Sequence, residues 1–394
     1  MNGKLQRRFW LLVSAVALSG FSQGMLLPLI AIIFEQSGIS STVNGMHAAG
    51  LYIGLLIASP FMEKPLQKFG FKPMILTGGI LVITSLALFP IWKALWFWFV
   101  LRLVIGIGDH MLHFGTQTWI TSFSPVHKRG RNIAIYGLFF SLGFSIGPLM
   151  TRLVTINEAL PFLLSAGLSF IIWALLLTLR NELPENNDTQ PSFFQSFKRF
   201  HQAWKIAWFA FLLPFGYGFL ESTLHGNFPV YALRIGITVE QLSILLPAFA
   251  VGTIILQIPL GTLSDKYGRR KIITIILFGG VLTFICASLL EDSFIGLFIC
   301  FITAGMLVGS TFSLGLSYMT DLLPKHLLPA GNILCGICFS LGSIVGPLIG
   351  GIVIQLFDQG SFFYIISSML FIIWICVFFA KERSSTLNCQ SNAS

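Results

Sequence analysis

This chain has little charge. Only 10% of its 394 residues are Asp, Glu, Lys or Arg, while 55% are hydrophobic. A water-soluble domain carries roughly 25% charged residues, so a folded surface of this size cannot be covered with polar groups. A soluble globular protein is excluded. Acids are scarcest: 15 Asp and Glu stand against 24 Lys and Arg, a net charge of +9. The remaining solvent is lipid, where apolar runs of about 20 residues form spanning helices.

Other absences narrow the function. The Gly-x-x-x-x-Gly-Lys-Ser/Thr loop is missing, which argues against direct drive by ATP. No Ser-His-Asp set is assembled, and the histidines are too scattered for a zinc site. We expect no enzyme, no metal and no cofactor. The six cysteines (Cys286, Cys300, Cys335, Cys338, Cys376, Cys389) all lie in the second half. Cys335-x-x-Cys338 falls within an apolar helix and reads as a pair of small packing residues. Lys4, Arg7 and Arg8 precede an apolar run to Phe34. A signal-peptide core is only about 7–15 residues, so this run reads as a first span.

Hydropathy yields twelve spans: 9–34, 43–62, 73–92, 95–123, 133–155 and 160–179, then 206–233, 241–260, 272–290, 294–319, 332–357 and 362–380. The expected units are a six-helix bundle over 1–180, a linker over 181–205, a second bundle over 206–380 and a tail over 381–394. In this topology 20 of the 24 Lys and Arg fall on one side. Lys93, Arg152 and Arg234 fall on the other, and Arg102 lies within a span. That bias places both termini in the cytoplasm of a cell (plasma) membrane protein and removes the need for a nucleic-acid partner.

The halves are copies. Gly143-Phe144-Ser145-Ile146-Gly147-Pro148-Leu149 recurs as Gly342-Ser343-Ile344-Val345-Gly346-Pro347-Leu348, 199 residues on. Gly20-Phe21-Ser22-Gln23 matches Gly218-Phe219-Leu220-Glu221 at 198, and Gly106 falls opposite Gly305. The fold class is therefore an all-α membrane protein of two parallel six-helix repeats, the sign of a transporter with a path between them. The linker contains Glu182-Leu183-Pro184-Glu185-Asn186-Asn187-Asp188. Phe193, Phe197, Phe200 and Trp204 follow at helical spacing and predict a short interfacial helix. The Asn187-Asp188-Thr189 sequon would stand unused in a cytoplasmic loop.

The loop after the eighth span reads Gly261-Thr262-Leu263-Ser264-Asp265-Lys266-Tyr267-Gly268-Arg269-Arg270-Lys271. Gly261 would let helices approach, Gly268 permits a tight turn, and Asp265 can cap and pair with cations. This loop resembles the signature of the major facilitator superfamily, and the likeness runs over nearly the whole chain. The resemblance implies twelve helices, a central cavity and alternating access, with the loop through Asp265 and Arg269 gating the cytoplasmic side. The first-half loop is degraded: Gln67 replaces the acid and Glu63 the leading glycine. Glu63 is the available substitute anion there.

Gly143, Gly147 and Pro148 resemble the fifth-helix element of the family's drug:proton antiporters; Gly346 and Pro347 repeat it in the eleventh span. Small residues four apart allow tight packing, and proline distorts the helix. Arg102-Leu103-Val104-Ile105-Gly106 resembles the family's fourth-helix motif, whose arginine tunes proton release.

Buried ionisable groups are the sharpest clue. At about 100° per residue, Arg102, Asp109 and His113 share one stripe, extended by Thr116 and Gln117, while His110 points away. Burial favours the neutral acid at Asp109, and Arg102 or a charged His113 favours the carboxylate. That balance suits proton binding; a static Arg102–Asp109 ion pair is the alternative. Glu221 lies mid-span opposite Gln23, with His225 one turn on. His47 reads as a packing histidine. The proton-coupling set is thus Glu221, Asp109, Arg102 and His113, and the substrate cavity involves Gln23, Glu221, His225 and Gln117.

These residues point to a secondary transporter, monomeric in the bilayer, with H+ as coupling ion and an amphipathic small molecule as exported substrate. One rival is an importer of a sugar, metabolite or organic anion, with Arg102 and Arg152 as ligands. Others are a lipid flippase and a non-transporting sensor.

Overall fold

A computed structural model describes residues 3–184, 193–357 and 361–380. The centre of the linker with its sequon, and the tail with Cys389, lie outside these. The spans are α1 (Gly3–Gln36), α2 (Ser41–Ala58), α3 (Phe71–Leu88), α4 (Leu95–Phe123), α5 (Val126–Ile146) and α6 (Leu160–Leu176). The second set is α7 (Phe193–Gly226), α8 (Val239–Tyr267), α9 (Arg269–Leu289), α10 (Phe294–Val308, resuming as Thr311–Leu322), α11 (Leu328–Leu356) and α12 (Phe363–Phe379). Among the described residues, nine helices are long and apolar enough to cross a membrane alone; α2 joins them with its bent continuation, and α6 and α12 are shorter apolar helices. The helix expected after the linker is the first part of α7, set off from the span by a break at Ala207 (φ −129°, ψ 27°).

In lipid, apolar surface gives helices no reason to prefer one another, so small residues and close backbones hold a bundle together. The glycines carry this in both halves. A side chain at Gly143 would strike the backbone of Ala17, and one at Gly342 the backbone of Phe215. These contacts lock α5 on α1 and α11 on α7. Gly54 and Gly106 do the same between α2 and α4, against Leu103 and Leu51. Their counterparts Gly252 and Gly305 press α8 on α10, against Ile302 and Phe249. Gly70 (φ +89°) and Gly268 (φ +94°) make matching turns 198 residues apart, in a region that only glycine enters cheaply.

The symmetry lapses after the Gly-Pro pair. Beyond Ile146 the chain tightens into a 3₁₀ segment, Gly147–Thr155, whereas α11 stays α-helical through Pro347. In α11, Gly350 and Gly351 pack against Asn227 and Ser41. The equivalent first-half positions are Thr151 and Arg152, and Arg152 reaches across to Ser243 on α8.

The two bundles meet at the face opposite the basic loops. Arg234 holds Glu35 through two contacts of 2.8 and 3.1 Å. Ser41 donates to the Gly351 carbonyl at 3.0 Å, and Asn44 to the Gly226 carbonyl at 2.6 Å. Gly45 sits against the Pro347 backbone. At the basic face the bundles part. Ile258 on α8 is 80% exposed, and Gly137 on α5 and its repeat mate Gly336 on α11 meet nothing within 4 Å. Gly261 also meets nothing within 4 Å, so the close approach expected there is not made in this conformation.

The basic loops differ between halves. In the second, Arg269 pairs with Asp265 at 2.7 Å and also with Asp321, and contacts Ser264. All four belong to one bundle. The equivalent first-half positions are Gln67, Phe71 and Ser122, with no charge among Asp265, Arg269 and Asp321's counterparts. An anion there is Glu182 from the linker, which pairs with Arg8. Trp119 donates to Glu182 at 2.8 Å and stacks on Phe71. The Arg8 guanidinium lies 4.2 Å from the Phe123 ring centre. Asn181 accepts from the Lys72 amide and donates to the Phe69 carbonyl, clamping the linker's start onto the turn.

Burial pushes the Glu182 carboxyl up, but the Trp119 and Arg8 donors outweigh it and hold it below its usual range. Its contribution to stability is therefore present above the unfolded value of about 4.3 and is lost as pH falls towards the lower folded value. Thermal unfolding in detergent checks this: Glu182→Gln removes that acid-side loss, and Arg8→Ala destabilises by about 1–3 kcal/mol at neutral pH.

Candidate functional site

Two carboxylates lie deep within the spans, and each has hydroxyl company. Asp109 on α4 is 1% exposed. Ser19 on α1 donates to its Oδ1 at 2.6 Å. The same hydroxyl lies 3.1 Å from His113 Nε2 and accepts from Gln23 Nε2 at 3.3 Å. His113 Nδ1 is 2.7 Å from the Tyr136 hydroxyl on α5, and Thr116 Oγ1 is 3.2 Å from it.

Asp109 and His113 share the face that their spacing required. Arg102 does not join them, and no Arg102–Asp109 ion pair forms among the described residues. Its Nη2 donates to the Leu26 carbonyl at 3.4 Å, while its Nε and Nη1 have no hydrogen-bond partner there. Two turns of helix separate it from Asp109, about 10 Å along the axis. Ser19 and Tyr136 were missed by the reading of one helix at a time. Ser19 carried a weak signal, standing one turn before Gln23.

Among the described residues, Asp109 Oδ2 has no hydrogen-bond partner. It borders a cavity of about 30 Å³ between α1, α3, α4 and α6, lined also by Ser19, Gly79, Ser169 and Trp173. That space suits one or two waters, each needing about 10–15 Å³ of this kind of volume.

Glu221 on α7 is half-buried, and Tyr217 donates to it at 3.2 Å. Tyr217 stacks on Phe339, which also meets Phe312 and, across the two bundles, Tyr52. His225 lies one turn beyond Glu221, but towards the other bundle rather than the carboxylate. Its Nδ1 lies 2.9 Å from the Glu221 backbone carbonyl, not the carboxylate, and its ring packs on Phe144 of the other bundle. At 2% exposure it is sealed between the halves. Gln23 is half-buried and turned to Ser19; Gln117 is exposed towards the basic end of α4. His47 is buried against Phe34 and Phe99, as a packing residue is, but its Nδ1 has no hydrogen-bond partner. The two carboxylates thus stand in separate surroundings: Asp109 inside the first bundle, Glu221 in an aromatic setting beside the interface.

Comparison with known proteins agrees with this architecture. The family model described as Major Facilitator Superfamily matches residues 12–235 and 210–391. The uncharacterized MFS-type transporter YfkF of Bacillus subtilis (strain 168) is 55% identical over 376 residues, covering 95% of this chain and 96% of that protein. The uncharacterized MFS-type transporter YcaD of Escherichia coli O6:K15:H31 is 22% identical, covering 93% and 94%. Among solved structures, the nucleoside transporter NupG superposes with a TM-score of 0.77 at 14% identity, over 97% of this chain and 100% of that one. The D-xylose-proton symporter gives 0.78 at 12%, over 96% and 99%. Two family-model matches, a near full-length relative and a shared fold leave one conclusion: the chain belongs to the major facilitator superfamily of secondary transporters.

Proposed function

We propose that this transporter exports amphipathic small molecules in exchange for protons, by alternating access across the plasma membrane. The observation that carries the reading is the pair of carboxylates within spans, buried Asp109 and half-buried Glu221, with no cation bonded to either among the described residues. A charge there costs several kcal/mol unless neutralised, so each is a natural place to gain and lose a proton. The joined face and the parted face supply the access half of the reading. By the positive-inside rule the parted, basic face is cytoplasmic, and so are both termini.

The setting of Glu221 supports an amphipathic substrate. Tyr217, which donates to Glu221, packs with Phe312 and Phe339, and Phe339 meets Tyr52, so the cluster beside it offers ring faces and two hydroxyls. A sugar needs a denser array of polar partners. The anion-import alternative is weakened by its two ligands: Arg102 is fully buried, and Arg152 is held by Ser243 in the closed face. Export over import rests on the resemblance of Gly143, Gly147 and Pro148 to the antiporter element.

A thermal-shift screen of purified protein against dyes, antibiotics, sugars, nucleosides and lipids identifies the ligand class; stabilisation by amphipathic dyes or antibiotics is expected. With the best ligand in proteoliposomes under a pH gradient, Glu221→Gln and Asp109→Asn each slow coupled transport by roughly tenfold or more. Wild-type rate and stoichiometry in both variants would rule out the proton assignment. A second prediction concerns conformation. Glu35→Gln removes a partly exposed ion pair worth up to about 1 kcal/mol, so it raises the outward-open fraction by up to roughly fivefold. Gly137→Leu and Gly336→Leu fill the cleft that must close on the basic face and hold the present conformation. Spin-label distances across each face read both effects.

A further inference from the structure

We propose that Asp109 receives its proton through a relay built inside the first bundle, Tyr136 to His113 to Ser19, apart from the surroundings of Glu221. This rests on the reading of the chain as proton-coupled and adds the route.

Counting hydrogens gives the relay a direction. Ser19 owns one hydrogen and donates it to Asp109. It must then accept from its other two neighbours, the Gln23 amide and His113 Nε2, which its two lone pairs permit. That assigns the Nε2–H tautomer to His113, so Nδ1 accepts from the Tyr136 hydroxyl. With Asp109 ionised, every donor points towards the carboxylate.

The opposite direction is equally satisfied. A proton reaching the Tyr136 oxygen lets the phenol hand its own hydrogen to His113 Nδ1. His113 passes its Nε2 hydrogen to Ser19, and Ser19 passes its hydrogen to Asp109. One proton has entered and one carboxylate is neutral. Asp109 now donates to Ser19, Ser19 to His113 Nε2, and His113 Nδ1–H to Tyr136. The phenol hydrogen turns to Thr116 Oγ1, 3.2 Å away. Thr116 is free to accept because its own hydrogen goes to the Leu112 carbonyl at 2.7 Å. His113 is neutral at both ends of the sequence, so no lasting imidazolium is placed in the span.

The surroundings keep this route distinct. Tyr136 is 7% exposed, at the middle of α5, whose first half leads to the parted face. Phe140 packs edge-on to His113. The titratable groups facing Asp109 are His113 and, through it, Tyr136 from α5; His110 and Arg102 lie on its own helix. The facing parts of α1, α3 and α6 bring Ser19, Gln23, Gly79, Ser169 and Trp173, none of which titrates there. The unpartnered Oδ2 and its small cavity give water a place at the far end.

Infrared difference spectroscopy on the full chain in lipid nanodiscs tests the relay without a substrate. A pH titration should show carboxylic-acid bands, one removed by Asp109→Asn and another by Glu221→Gln. After a pH jump, Tyr136→Phe and His113→Asn should slow the rise of the Asp109 band by roughly tenfold or more. The Glu221 band should keep its wild-type rate and so report a folded protein. Should either variant fail to fold, Ser19→Ala breaks the same chain and carries the same expectation. The relay is overturned if the Asp109 band rises at the wild-type rate in the folded variants, or if the band lost in Asp109→Asn ignores pH. If the bands behave as expected but no pH gradient drives transport, the relay stands and the exporter reading fails.

Discussion

No water is present in a hydrocarbon core to satisfy a polar atom that the protein leaves alone. That constraint organises this molecule more than any single contact. It explains why the helices approach through glycine, where backbone meets backbone and the dispersion contact is closest. It explains why many threonines and several serines within spans donate back to carbonyls three or four residues earlier. It also makes the exceptions informative. Arg102, Asp109 and Glu221 are where the rule is strained, and all three lie on helices that carry the inter-bundle interface or its nearest neighbours.

The repeat sharpens this. Positions 199 residues beyond Arg102, Asp109 and His113 hold Phe301, Val308 and Phe312. The second bundle keeps the backbone contacts of the first but has apolar residues at these three positions, while its own carboxylate, Glu221, stands opposite Gln23. At the basic loops the asymmetry reverses. The ionic corner of Asp265, Arg269 and Asp321 is intact in the second half, whereas the first replaces it with Phe71 stacked on Trp119 and recruits Glu182 from the linker. A shared scaffold under tight steric constraint diverged where side chains, not backbones, carry the work.

This difference also sets what was legible in the sequence. Spans, repeat and turn glycines are local or periodic, so hydropathy and spacing reveal them. The pairing of Asp109 with His113 followed from helical period, and their bridge did not, because Ser19 arrives from a helix 90 residues away. Glu182 escaped because the linker's fold onto the bundle is a tertiary event. His225 shows the other failure. Spacing set it on the face of Glu221, but a helical histidine can satisfy itself on a carbonyl one turn back, and this one does. Gly261 was read for contact, yet contact at that position depends on which face is closed.

The closed face is made of modest parts. The Glu35–Arg234 pair is partly exposed, and such pairs are worth about 1 kcal/mol or less. The other bonds there are a guanidinium donor, Arg152 to Ser243, and neutral donors such as Ser41 and Asn44 to carbonyls, each neutral one worth about 1 kcal/mol net. A carboxylate that changes charge within a span shifts the balance by several kcal/mol. In the proposed cycle these magnitudes are of one order, which alternation demands: a ligand moves an equilibrium only by its differential affinity for the two states. A seal of strong buried ion pairs would hold one conformation against any single proton. In the proposed cycle, a seal of glycine contacts and one partly exposed ion pair would leave the decision to Asp109 and Glu221.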